Sequence, residues 1–152
     1  MKLYKRKLIK LFGLSLLSII FPINSLLASA KKTINSNLSN KQKNIMFKEG
    51  TEKPFSSELL NEKRKGFYHC ANCGNKLFAS NSKFDSGTGW PSFSEALPGA
   101  FKTKTDYSFG IERVEYHCAK CGAHHGHVFN DGPRESGKRF CNNGLCLIFK
   151  PE

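Results

Sequence analysis

The chain has 152 residues, with 24 Lys+Arg against 12 Asp+Glu and a net charge of +12. This length fits one domain plus an appendage, and thirteen phenylalanines exclude a wholly disordered chain. Lys2, Lys5, Arg6, Lys7 and Lys10 all precede residue 31; the remainder carries 19 basic and 12 acidic residues, a spread +7 that does not by itself indicate nucleic acid.

Residues 1–30 read as a secretory signal. A basic start precedes an apolar run from Leu11 to Phe21, Pro22 ends it, and Ala28-Ser29-Ala30 forms an A-x-A cleavage site before Lys31. The run is about 11 residues long, short of the roughly 20 needed to span a bilayer. Export to a periplasmic, lumenal or secreted location is expected. The alternative is an uncleaved anchor through residues 8–27, the only route to a membrane partner. Residues 31–47 are rich in Lys, Asn and Ser and read as a flexible linker. A short helix is predicted between Ser56 and Lys65, with Ser56 or Ser57 as cap, Glu58 in the first turn and Gly66 after the last.

From Gly66 onward, short runs rich in Phe, Tyr, Val and Ile alternate with Gly, Pro, Asn and Asp clusters. Candidate strands are Phe67–Cys70, Lys76–Ala79, Ser108–Ile111, Val114–Cys118, His127–Phe129, Lys138–Asn142 and Leu145–Phe149. Turns are expected at Ser86-Gly87-Thr88-Gly89, Leu97-Pro98-Gly99 and Asn130-Asp131-Gly132-Pro133. The domain is expected to be mainly β.

One internal repeat stands out. Tyr68-His69-Cys70-Ala71-Asn72-Cys73-Gly74 recurs as Tyr116-His117-Cys118-Ala119-Lys120-Cys121-Gly122, identical at six of seven positions. Each copy runs a strand into a Cys-x-x-Cys turn closed by glycine. Four thiolates from two such turns suit one tetrahedral Zn2+. Two disulfides or a redox Cys-x-x-Cys are the alternatives, and export favours the former. The 44 residues between Cys73 and Cys118 mean that the fold must bring the turns together.

Cys141 and Cys146 lie outside that set. In an extended segment Arg139, Cys141 and Asn143 share a face, and a cation beside a thiol favours the nucleophilic thiolate. Trp90 is the only tryptophan and follows a Gly-rich turn; it reads equally as one wall of an apolar pocket or as core. His124, His125 and His127 could ligate a metal, but four thiolates already saturate a zinc, so proton donation suits them better.

In order, the set Cys-x-x-Cys, Ser-Gly-Thr-Gly-Trp-Pro-Ser-Phe, Cys-x-x-Cys-Gly-Ala-His-x-Gly-His-Val-Phe-x-Asp-Gly and Arg-Phe-Cys-x-Asn resembles the B-type methionine sulfoxide reductases over residues 48–152. The resemblance implies two antiparallel sheets, a structural zinc on Cys70, Cys73, Cys118 and Cys121, and reduction of the R epimer of methionine sulfoxide, free or in oxidised proteins. It implies Cys141 as nucleophile, His124 and His127 as groups that bind and protonate the sulfoxide oxygen, and Trp90 as the residue packing on the S-methyl group. Arg139, Asn143 and Asp131 match supporting positions, whereas His125 falls on a variable one. Many members have a resolving cysteine where this chain has Thr88. Cys146 could serve only if residues 142–144 bend; the preferred reading makes it buried filler, with Cys141 regenerated by a thioredoxin-like donor or small thiol. A monomer is expected. The competing reading, a zinc-stabilised binding module without catalysis, lacks a dense basic patch beside its cysteine turns, so no nucleic-acid partner is expected.

Overall fold

Alternation along Gly66–Cys70 makes strand β1, with Tyr68 and Cys70 fully buried and Phe67 and His69 partly exposed. The structure is a computed structural model that describes residues 31–108 and 110–152; the segment 1–30, with its export and anchor readings, lies outside the described residues. Strand β1 pairs antiparallel with β2 (Lys76–Ala79) on one side and β9 (Leu147–Pro151) on the other. A second antiparallel sheet runs β3 (Lys83–Phe84), β4 (Ser92–Phe93), β8 (Arg139–Asn142), β7 (His124–Phe129), β6 (Arg113–Cys118) and β5 (Phe101–Asp106) in spatial order.

Aromatic side chains from both sheets fill the space between them. Phe78 stacks on Phe93 with ring centroids 4.0 Å apart, Tyr68 meets Phe93 edge-on at 4.9 Å, and Tyr116 packs against Phe101 at 4.7 Å. Tyr68, Phe78, Phe93 and Tyr116 are fully buried, and each such ring contributes roughly 1.5–3 kcal/mol. The expected mainly β class with two antiparallel sheets is what the chain adopts.

Three local expectations are corrected. The stretch expected as a flexible linker, 31–47, carries a helix, α1 (Asn40–Lys48). Ser39 and Gln42 cap it reciprocally, and Ile45 and Met46 bury against β7 and the turn after β8. Two buried positions in nine are too few for a visible helical period. The helix predicted over Ser56–Lys65 shrinks to one 3-10 turn, Glu58–Asn61, whose cap is Ser57. In the stretch expected as a strand over Ser108–Ile111, Ser108, Gly110 and Ile111 are turn and bend residues and not strand, and the Gly110 N–H bonds the Tyr107 carbonyl at 3.1 Å. The strand lies earlier, in β5, whose central residues Lys102 to Thr105 are all exposed. A sheet-edge strand with two wet faces shows no apolar alternation.

Candidate active site

Strand β8 places Cys141 between two neighbours. In the antiparallel ladders Cys141 stands opposite His127 on β7 and opposite Ser92 on β4, and directly opposed residues project from the same face. Phe140, one residue back, faces the aromatic core against Tyr116 at 5.4 Å. The strands approach closely here: a side chain at Gly126 would put its Cβ 2.0 Å from the Cys141 carbonyl oxygen. Above this face opens a cleft of about 140 Å³, lined by Cys141, His127, Trp90, Thr51, Phe129 and Asn143 among others.

Each of the two expected catalytic histidines carries a carboxylate. His127 Nε2 lies 2.8 Å from Asp106 Oδ2, and His124 Nδ1 lies 2.8 Å from Glu115 Oε1. Both acids come from the β5–β6 pair beside β7, and neither was singled out by the sequence. His127 reaches the cleft; His124, only 1% exposed, stands behind it with ring centroids 5.6 Å apart. His125 is fully buried beside Phe101, with ring centroids 5.4 Å apart. Burial lowers the pKa of His127 more than Asp106 raises it, so the imidazole rests neutral. Hydrogen bonds from Ser108, and then from His127, hold Asp106 well below the usual carboxylate range.

Arg139 Nε and a terminal nitrogen donate to the two oxygens of Asp131 at 2.8 and 2.9 Å, and its guanidinium covers the Phe129 ring at 4.4 Å. The ion pair partly neutralises the cation before it reaches the sulfur. Burial therefore pushes the Cys141 thiol above its ordinary pKa, against smaller downward contributions from Arg139 and Thr88. Arg139 thus acts in the expected direction, toward the thiolate, but burial outweighs it.

Asn143 lies just past β8, which ends at Asn142, and before the 3-10 turn Gly144–Cys146, and it lines the cleft with Cys141. Its side-chain amide donates to the His125 carbonyl at 3.0 Å and accepts from the Glu52 N–H at 2.9 Å. The Glu52 carbonyl accepts from Trp90 Nε1 at 3.1 Å, and the Glu52 carboxylate accepts from the backbone N–H groups of Gly144 and Leu145. Asn143 and Glu52 thus tether the indole to the loop after Cys141. Cys146 is fully buried, with its thiol 3.5 Å from the His124 carbonyl, and burial pushes its pKa well up.

The four remaining cysteines meet at one point. Sγ of Cys70 and Cys121 are 3.8 Å apart and those of Cys73 and Cys118 are 3.6 Å apart, with all four within 4.8 Å of one another. A disulfide needs about 2.05 Å, and all six cysteines are free, so neither cysteine turn is oxidised. Tetrahedral sulfurs at about 2.3 Å from a zinc stand roughly 3.8 Å apart, which this cluster fits. The two turns share one backbone pattern: Gly74 N–H bonds the Cys70 carbonyl and Gly122 N–H the Cys118 carbonyl, both at 2.8 Å, and each glycine sits at φ 70°. None of the four lines the cleft.

The chain matches the SelR domain family over residues 38–151. It is 47% identical over 116 residues to the peptide methionine sulfoxide reductase MsrB of Methanosarcina barkeri, covering 76% of this chain and 82% of that protein. It is 50% identical over 117 residues to the MsrB of Leifsonia xyli, covering 76% and 84% respectively. A third relative, the mitochondrial methionine-R-sulfoxide reductase B3 of Mus musculus, is 42% identical over 123 residues, covering 80% of this chain and 49% of the mouse protein. The chain belongs to the SelR, or MsrB, family of methionine sulfoxide reductases.

Proposed function

We propose that this protein reduces the R epimer of methionine sulfoxide, free or in oxidised proteins, with Cys141 as nucleophile. The observation that carries this reading is the convergence of Cys141, His127 and Trp90 on one cleft that the metal-type sulfur cluster leaves alone. The step balances without an outside proton. The Cys141 sulfur attacks the sulfoxide sulfur and takes its oxygen, methionine leaves as the thioether, and Cys141 becomes a sulfenic acid. The thiol loses one proton and the sulfoxide oxygen gains one, so a neutral imidazole at His127, oriented by Asp106, relays it. His124 holds the rear of the site through Glu115. Trp90 forms the apolar wall for the S-methyl group.

A dithiol donor then reduces the sulfenic acid to the thiol, releasing water and leaving the donor as a disulfide. A thioredoxin-like protein, or two molecules of a small thiol joined as their disulfide, fits that role, because the sealed position of Cys146 supports its reading as filler. Cys70, Cys73, Cys118 and Cys121 would hold one Zn2+, which would supply folding energy there, away from the cleft. The basic and apolar pattern of residues 1–30 supports export, and N-terminal sequencing of the mature protein is expected to read from Lys31.

Separate assays on the R and S epimers of a methionine sulfoxide, with dithiothreitol as donor, test the assignment. Turnover of the R epimer alone, abolished in Cys141→Ser, is expected. Preference for the S epimer, or full activity in Cys141→Ser, overturns it.

A further inference from the structure

Ser92 is a fully buried polar side chain that the proposed reaction does not use. It stands directly opposite Cys141 across the β4–β8 ladder, on the same face. Its Oγ lies 2.8 Å from Ser86 Oγ, and Ser86 Oγ lies 2.8 Å from Thr88 Oγ1. The Ser86-Gly87-Thr88-Gly89 turn brings the last two hydroxyls together. The Gly87 N–H donates to Asp85 Oδ1 at 2.9 Å, and Gly87 and Gly89 take φ of 70° and 90°, which glycine tolerates. Thr88 in turn hydrogen-bonds the Cys141 sulfur. At the far end Ser92 Oγ donates to the Trp90 carbonyl at 3.1 Å. Three hydroxyls therefore form an unbroken chain from the reactive sulfur to a backbone carbonyl.

What the chain can do follows from its protons. Each hydroxyl has one proton to give and turns about its C–O bond without moving a heavy atom. With Ser92 donating to the carbonyl, Ser86 donates to Ser92 and Thr88 to Ser86. Thr88 then has only a lone pair to offer, and it accepts from the Cys141 thiol. Around an ionised sulfur the order reverses: Ser92 donates to Ser86, Ser86 to Thr88, and Thr88 to the thiolate. The reversal gives up the bond from the thiol, which is a weak donor, and the longer bond to the Trp90 carbonyl. It gains a charge-assisted bond, about twice as strong as a neutral one. Reversal is therefore favoured only when the sulfur carries charge.

We infer that Thr88 is a further catalytic residue, a donor withheld from the resting Cys141 thiol and turned onto the sulfur as it becomes negative in the attack on the sulfoxide. Ser86 and Ser92 are positioning residues that act through Thr88. The inference rests on the proposed function for the reaction in which the sulfur becomes charged. No proton leaves the chain: the thiol proton turns from Thr88 to His127 and on to the sulfoxide oxygen, while the three hydroxyls only reorient. A bond made in the transition state and not in the ground state raises kcat and leaves KM unchanged.

The charged and titratable groups around the sulfur are Arg139 with Asp131, His127 with Asp106 across β7, Arg113 in the cleft lining and the buried Tyr116 hydroxyl. The substitutions that test the chain leave all of them in place. Alkylation by iodoacetamide is followed against pH on the zinc-loaded protein, read on the peptide that carries Cys141. Thr88→Val keeps the shape and loses the hydroxyl; its profile is expected to move up by roughly half to one pH unit. Its kcat for the R epimer is expected to fall about threefold to tenfold at unchanged KM. Thr88→Ser keeps the hydroxyl and is expected to match the parent in both readouts. Ser86→Ala removes the acceptor that competes for the Thr88 proton, so its profile is expected to move the other way, to lower pH. A Thr88→Val profile at or below the parent's overturns the chain. So does a Thr88→Ser shifted like Thr88→Val, or a Ser86→Ala that is unmoved or moved upward. Absence of R-epimer reduction in the parent protein, with the opposite shifts of Thr88→Val and Ser86→Ala intact, refutes the proposed function and upholds the chain.

Discussion

Cys141 and His127 are displaced from their ordinary protonation in opposite directions by the same cause, burial. The thiol keeps its proton into alkaline solution, and the imidazole stays neutral into mildly acid solution. If the proton passes from thiol to sulfoxide oxygen by way of neutral His127, both resting forms must be present. The first is lost only as pH rises through the raised thiol value, the second only as pH falls through the lowered imidazole value. The pH profile of kcat/KM, followed from about pH 5 to about pH 10, is therefore expected to show a broad plateau. A narrow bell peaking at neutrality would mean a thiolate–imidazolium pair instead. The Asp131–Arg139 pair gives a second handle. Asp131 raises the thiol pKa directly and also occupies the cation that would lower it. Asp131→Asn is expected to move the alkylation profile of Cys141 by iodoacetamide to lower pH, so that labelling near neutrality speeds up severalfold. An unchanged profile would show that Arg139 is not coupled to the sulfur.

At the scale of elements, the site depends on a strap, residues 51–55, that crosses from the Trp90 loop to the loop after β8. Glu52 is its centre, only 6% exposed, with its backbone and carboxylate together bound to Asn143, Gly144, Leu145 and Trp90. Glu52→Gln keeps the shape but turns one amide N–H toward a backbone N–H, leaving a buried donor without an acceptor at a cost of about 1–3 kcal/mol. Trp90 emission is expected to shift to the red and KM to rise, with the far-ultraviolet dichroism unchanged. A mutant with wild-type emission would show that the indole is fixed by other contacts. This strap was not legible in the sequence, because its partners lie up to 93 residues away and no local pattern marks them. The same reason hides Asp106 and Glu115, which are identified only by the register of β5, β6 and β7. What could be read was what local chemistry determines: strands β1, β2 and β6 nearly to the residue, the duplicated cysteine turns, and Cys141, Trp90 and His127 as unusual residues in short motifs. Helix α1 and strand β5 were missed because so few of their residues are buried, two of nine in α1 and none of six in β5, and sparse burial removes the apolar spacing from which elements are inferred.

For the whole molecule, the sulfur cluster is a tie between the two sheets, added to the aromatic core. Cys70 ends β1 in the three-stranded sheet and Cys118 ends β6 in the six-stranded one, and Cys73 and Cys121 follow in the adjoining turns. An ion held by all four is a cross-sheet rivet that closes loops of more than forty residues. The N-terminal arm adds to it: the Lys32 N–H bonds the Cys121 carbonyl at 3.2 Å, and Asn72 accepts from the N–H groups of Ile34 and Asn35. Without the ion, four sulfurs held within 4.8 Å of one another lose the attraction that gathers them, while the aromatic core between the sheets remains. The domain is therefore expected to loosen rather than to dissolve. Chelation should lower the thermal midpoint by on the order of 10 °C and broaden the transition. Because Cys141 sits on the central β8 and its cleft partners come from the same sheet and the strap, activity should decay in parallel with that loosening and return when zinc is restored. Calorimetry on the metal-free protein with a metal assay checks this, and Cys73→Ser, at the most exposed of the four ligand positions, should reproduce the loss. A metal-free protein that melts at the same temperature would show that the aromatic core alone holds the sheets, and that the four cysteines serve something other than the fold.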